Sequence, residues 1–191
     1  IVDDKIIFNN SVGEITAVNI ETGMLLWQLP TQNSNIIYET YNFKTSELVA
    51  DGNSIYFSNN KDQFYSIDVN SGSINWINKI NSNISPIIIE NLIFTISNEG
   101  FLFVIEKNNG NIIRITDVYN QYKKKDRSQI KPIGFAIGNK NLYLTNSDGK
   151  IIIIDLSLGD IIKTEQVSGS LVSKPLIFQN NLYLIRNGKI D

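Results

Sequence analysis

The chain has 191 residues, 42% hydrophobic and 10% aromatic, which is enough apolar surface to bury a substantial core. Only 19% are charged and the formal net charge is −2, which argues against an electrostatic nucleic-acid binder with its basic face. There is no Cys and no His, so Ser-His, Cys-His and His-metal schemes are excluded within this chain, and no apolar run approaches the roughly 18 residues of a membrane-spanning helix.

The elements come as a repeat. Ile1-Val2-Asp3 reads as the end of an inner strand. A first unit then runs through Lys5-Ile6-Ile7-Phe8, Gly13 to Gly23 and Met24-Leu25-Leu26-Trp27. The second runs through Ser54-Ile55-Tyr56-Phe57, Gln63 to Gly72 and Ser73-Ile74-Asn75-Trp76. The third has Asn91-Leu92-Ile93-Phe94, Gly100 to Gly110 and Asn111 to Arg114; the fourth has Asn141 to Leu144, Gly149 to Gly159 and Asp160 to Lys163. A fifth begins at Asn181-Leu182-Tyr183 and stops in its third strand at Asp191. The landmark glycines Gly23, Gly72, Gly110 and Gly159 are spaced 49, 38 and 49 apart, a period that suits a four-stranded propeller blade.

Within each unit, short β-branched and aromatic runs alternate with Asn, Asp, Ser and Gly, the signature of strands and turns. The innermost strand of three units opens on Pro86, Pro132 or Pro175, a position where the missing N–H breaks no ladder. The turn between the third and fourth strands, such as Asp155 to Gly159, ends on a glycine that supplies a positive φ. The fold expected is therefore all-β: a β-propeller of four-stranded antiparallel blades, a partial ring with about four to five blades present. It reads as one propeller over 1–191, with units near 1–45, 46–84, 85–130, 131–173 and an incomplete 174–191.

These residues resemble the pyrroloquinoline-quinone-type propeller repeat: a Gly before the third strand, a Tyr-Ala-Leu-Asp-like strand, a Thr-Gly turn and a Trp four residues later. Thr22-Gly23 with Trp27 and Ser71-Gly72 with Trp76 carry the match. Asp68, Glu106 and Asp155 stand where the family prefers Asp, and Asn19 replaces it once. Arg114 and Lys163 replace the Trp in units three and four, so those two units are degenerate. The resemblance implies that Trp27 and Trp76 stack between neighbouring blades, which agrees with an indole that buries a large ring and needs an N–H partner. The recurring carboxylates read as turn hydrogen-bonders.

Two connections from one unit to the next are long, and their extra residues fall near Ser34 to Phe43 and Tyr119 to Gln129. They carry Tyr38, Tyr41 and Phe43, and Tyr119, Tyr122, Lys123, Lys124 and Lys125. Aromatic and basic side chains on loops of one face suit protein binding; the competing reading is a solvated charge run with loop aromatics packed on their own blades. No catalytic, cofactor or metal residue is singled out. The resemblance implies a non-catalytic scaffold, similar to the periplasmic propeller lipoprotein of the machinery that assembles outer-membrane β-barrels, lipid-anchored through an N-terminus outside this sequence. Its partners would be other proteins, met through loops or open strand edges, with self-association through blade edges as one outcome. The alternatives are a fragment of a quinone-dependent dehydrogenase, or a repeat domain of a sensor or cell-surface protein.

Overall fold

A computed structural model describes residues 1–10, 13–31, 44–167, 169, 172–186 and 189–190. The first sheet holds β1 (Lys5–Asn9), β2 (Glu14–Asn19) and β3 (Leu25–Pro30), with an isolated antiparallel bridge between Val2 and Lys5 before it. The second is a four-stranded meander of β4 (Val49–Asp51), β5 (Ser54–Asn59), β6 (Gln63–Asp68) and β7 (Ile74–Asn78). The third has β8 (Ile87–Ile89), β9 (Leu92–Ile96), β10 (Phe101–Glu106) and β11 (Ile112–Asp117). A four-residue helix, α1 (Lys124–Arg127), interrupts the connection to the fourth sheet. That sheet contains β12 (Pro132–Gly138), β13 (Asn141–Asn146), β14 (Lys150–Asp155) and β15 (Ile161–Gln166). Two hairpins close the chain: β16 (Leu176–Phe178) with β17 (Asn181–Tyr183), and β18 (Ile185–Arg186) with β19 (Lys189–Ile190).

By packing the chain divides into two compact units, residues 1–91 with 106–111, and 92–105 with 112–191.

Burial explains the sequence pattern. Strands covered on both faces read as continuous apolar runs: Ile55, Tyr56 and Phe57 of β5, and Ile151 and Ile152 of β14, are all buried. The outermost strands are edges, and β3, β7, β11 and β15 alternate exposed with half-buried positions. In the first unit the core gathers Ile15, Ile55, Phe57, Tyr65, Ile67 and Val69, with Trp27, Leu29 and Leu48 packed against it.

Each blade turns its corner in the same way. The pairing of third and fourth strands slips once, between Ala17 and Val18, Ser66 and Ile67, Val104 and Ile105, and Ile153 and Ile154. A bulge recurring at one position in every repeat belongs to the repeat's design, and it adds local twist. The hairpin between the first two strands of the fourth blade is a two-residue loop, Asn139-Lys140, with φ of 48° and 64°. Two positive φ values in a row give the primed turn whose twist matches the strands it joins.

Candidate functional site

The turns after β2, β6, β10 and β14 are the most uniform local structure in the chain. In the second blade, Asp68 Oδ1 accepts from the backbone N–H of Asn70 and Ser71 and from the Ser71 hydroxyl, at 3.0, 2.8 and 2.8 Å. These bonds hold the Asp68 carboxyl below the usual carboxylate range. Asn19 Oδ1 does the same for Glu21, Thr22 and the Thr22 hydroxyl, and Asp155 Oδ1 for Ser157 and Leu158. Glu106 has one more methylene and bonds instead to the side-chain amides of Asn109 and Asn111, while Asn109 caps the backbone of Asn111. The recurring acidic positions are thus spent on turns.

The turns that end on Gly72, Gly110 and Gly159 each present a carbonyl and a bare glycine to the preceding blade. Trp27 Nε1 donates to Val69 O at 2.9 Å, and its ring lies on Gly72, where an added Cβ would sit 2.7 Å from ring carbons. Trp76 Nε1 donates to Lys107 O at 3.1 Å and covers Gly110, where a Cβ would stand 2.6 Å from the ring. Phe64 stacks on Trp76 with centroids 5.8 Å apart, and Tyr56 flanks it at 6.0 Å. The two Trp residues therefore each bridge from one blade to the turn of the next.

Arg114 corrects the view that the third unit is degenerate. Its guanidinium donates to Leu156 O at 2.6 Å and to Ser157 O, and it lies against Gly159, 3.1 Å from where a Cβ would be. A planar group with several N–H donors fulfils both duties of the indole, filling the gap over glycine and satisfying the turn carbonyls. Lys163, at the same position of the fourth blade, is exposed and paired with Glu165 at 2.6 Å.

The candidate partner-binding loops fare unequally. Tyr38, Tyr41 and Phe43 lie outside the described residues. Tyr119 is removed from any accessible face: it is fully buried, packs on Gly100, and donates its hydroxyl to Asn146 Oδ1 at 2.7 Å. Burial pushes that hydroxyl far above the usual tyrosine range. Tyr122 is half-buried, edge-on to Tyr119 at 5.4 Å, and carries Lys150 4.6 Å above its ring. Arg127 ties the loop down through Asp117 Oδ2 at 2.7 Å and the Tyr122 carbonyl. The sequence signal for this arrangement was faint: Gly100 forms the hollow for a ring nineteen residues later, a pairing that spacing does not reveal. Lys123, Lys124 and Lys125 are exposed on this clamped loop, so the basic part of the candidate surface is presented to solvent. Among the described residues no group of three or more acidic, His or Cys side chains is placed to hold a metal ion, and no helix is long and apolar enough to cross a membrane.

A family model described as outer membrane protein assembly factor BamB matches residues 1–116, more than half of the chain. The chain belongs to this family. Outer membrane protein assembly factor BamB of Legionella pneumophila (strain Paris) is 24% identical over 195 residues, covering 98% of this chain and 47% of that protein. Uncharacterized protein RP232 of Rickettsia prowazekii (strain Madrid E) is 23% identical over 208 residues, covering 98% and 49%. The chain spans about half the length of the curated relatives it matches. Among solved structures, BamB from Moraxella catarrhalis aligns with a TM-score of 0.61 at 15% identity, over 100% of this chain and 69% of that one. The Cps50 (Swd1) β-propeller domain of Myceliophteria thermophila aligns with a TM-score of 0.69 at 11% identity, over 95% and 58%. The fold is a β-propeller of four-stranded antiparallel blades, as the repeat led one to expect.

Proposed function

We propose that residues 1–191 supply four blades and the start of a fifth to one non-catalytic, protein-binding β-propeller that serves outer-membrane protein assembly in the periplasm. The match of residues 1–116 to the BamB family carries this reading. The site chemistry supports it: the carboxylates that recur with the repeat are turned onto their own turns, and the exposed groups of the clamped loop include three consecutive amines, Lys123 to Lys125, beside one carboxylate, Asp126. Three such charges on a positioned loop favour an acidic protein surface, and they raise the rate of encounter more than the lifetime of the complex.

The test is binding of the purified chain to the detergent-solubilised outer-membrane assembly complex of its host, followed by interferometry. Saturable binding is expected. Reversal of Lys123, Lys124 and Lys125 to Glu should slow association at low salt, with the difference shrinking as salt screens the charges. No saturable binding would refute the reading. Saturable quenching of Trp fluorescence by the quinone cofactor with Ca²⁺ would instead favour a dehydrogenase fragment.

A further inference from the structure

The turn after β10 differs from its counterparts after β2, β6 and β14 in its chemistry. The residue before its glycine is Asn109, where the others have Thr22, Ser71 and Leu158. An Asn followed by Gly is prone to lose its side-chain amide, because glycine has no Cβ to hinder ring closure onto the backbone. A second such pair, Asn187-Gly188, lies outside the described residues. Asn109 is exposed, so water reaches it. In this reaction the Gly110 nitrogen attacks Asn109 Cγ and the new C–N bond closes a succinimide. The Cγ–Nδ2 bond breaks, and Nδ2 leaves as ammonia with the proton that Gly110 sheds. Water then opens the ring to aspartate or isoaspartate, with no change of oxidation state.

The folded turn holds each reacting group away from that path. Gly110 N–H donates to Glu106 O at 2.9 Å, which engages the proton the nucleophile must lose. Asn109 Nδ2, the leaving group, donates to Glu106 Oε2 at 2.7 Å, and Asn109 Oδ1 accepts from Asn111 N–H at 2.8 Å, so the side chain is fixed at both ends. Gly110 is itself pinned: Trp76 covers it, and Asn78 Nδ2 donates to its carbonyl at 2.7 Å. All these residues belong to one compact unit. Neither product fits the turn. Aspartate replaces the Nδ2 donor with an oxygen and sets a carboxylate against that of Glu106, a like-charge contact in place of a hydrogen bond. Isoaspartate also routes the backbone through Cβ, and the added methylene shifts Gly110 from beneath the indole.

We infer that Asn109-Gly110 is a latent deamidation site, kept silent while Trp76 is docked, and that its conversion weakens this dock irreversibly. Reaction requires the turn to open locally, so its rate reports how often Trp76 lifts from Gly110. The inference is independent of what the chain binds.

The test incubates the unaltered chain and Trp76→Phe at mildly alkaline pH, both folded and in concentrated urea. Trypsin then releases the peptide 108–114, which follows Lys107 and ends at Arg114, and fragment masses locate the amide-to-acid change at residue 109. Conversion should be at least about tenfold slower in the folded chain than in urea. Trp76→Phe keeps a ring over Gly110 but no donor for Lys107 O, and should speed the folded reaction at least about fivefold without altering the rate in urea. Asn109→Asp, which installs one product directly, should unfold at a lower urea concentration than Asn109→Ser, which copies the Ser71 turn and has no amide to lose. A folded rate equal to or above that in urea, a folded rate that Trp76→Phe leaves unchanged, or equal midpoints for the two residue-109 variants would each overturn the inference.

Discussion

Trp76→Ala tests the blade-docking argument directly. The truncation removes stacking on Phe64, the flank against Tyr56 and the hydrogen bond to Lys107 O, and it opens a void above Gly110. Large aromatic truncations in cores cost about 3–5 kcal/mol, and because the ring is half-buried the lower end, about 3 kcal/mol, is expected. Trp76→Phe keeps a stacked ring but leaves Lys107 O without its donor, which should cost about 1–2 kcal/mol. The assay is equilibrium urea unfolding followed by fluorescence. Trp27 remains as reporter in the Ala variant and lies in the same compact unit as Trp76. The midpoint should fall with little change in slope. A loss below about 1 kcal/mol for Trp76→Ala would refute the claim that this side chain joins blades.

Other outcomes follow from the same geometry. Gly72→Ala and Gly52→Ala both strain a positive φ, but only the former drives a Cβ into Trp27, so its thermal midpoint should fall clearly further; equal losses would contradict the packing. Arg114→Lys keeps the charge but loses the fork that reaches Leu156 O and Ser157 O, and should cost about 1–2 kcal/mol in chemical denaturation, whereas Lys163→Arg should be neutral. The folded-state pKa of Asp68 is lowered, so its contribution is present above the unfolded value of about 4 and is lost as pH falls below it. Asp68→Asn, which copies the Asn19 turn, should flatten that part of the acid-stability profile; an unchanged profile would show that the turn does not depend on the charge.

The repeat was legible because its marks are local. A strand covered on both faces must be apolar throughout, a turn with positive φ favours glycine, and an Asx side chain reaches only two or three residues ahead, so β5, β14, Gly72 and Asp68 all announce themselves in the sequence. What was missed depends on partners far along the chain. Arg114 looked like a lost tryptophan, and its equivalence shows only when its N–H groups meet carbonyls about forty residues later. Tyr119 looked like a loop aromatic free for a partner, but the hollow over Gly100 and the amide of Asn146 claim it. Lys123 to Lys125 are exposed, and a run of three amines has no way to bury itself.

The docking side chains also make each blade depend on the next. Trp27, Trp76 and Arg114 each close on a carbonyl 42, 31 and 42 residues further along the chain. Contacts at that separation cannot form from one unit of the repeat alone, so cutting the chain after a single blade should leave that blade with its docking group unpaired and its outer strand uncovered.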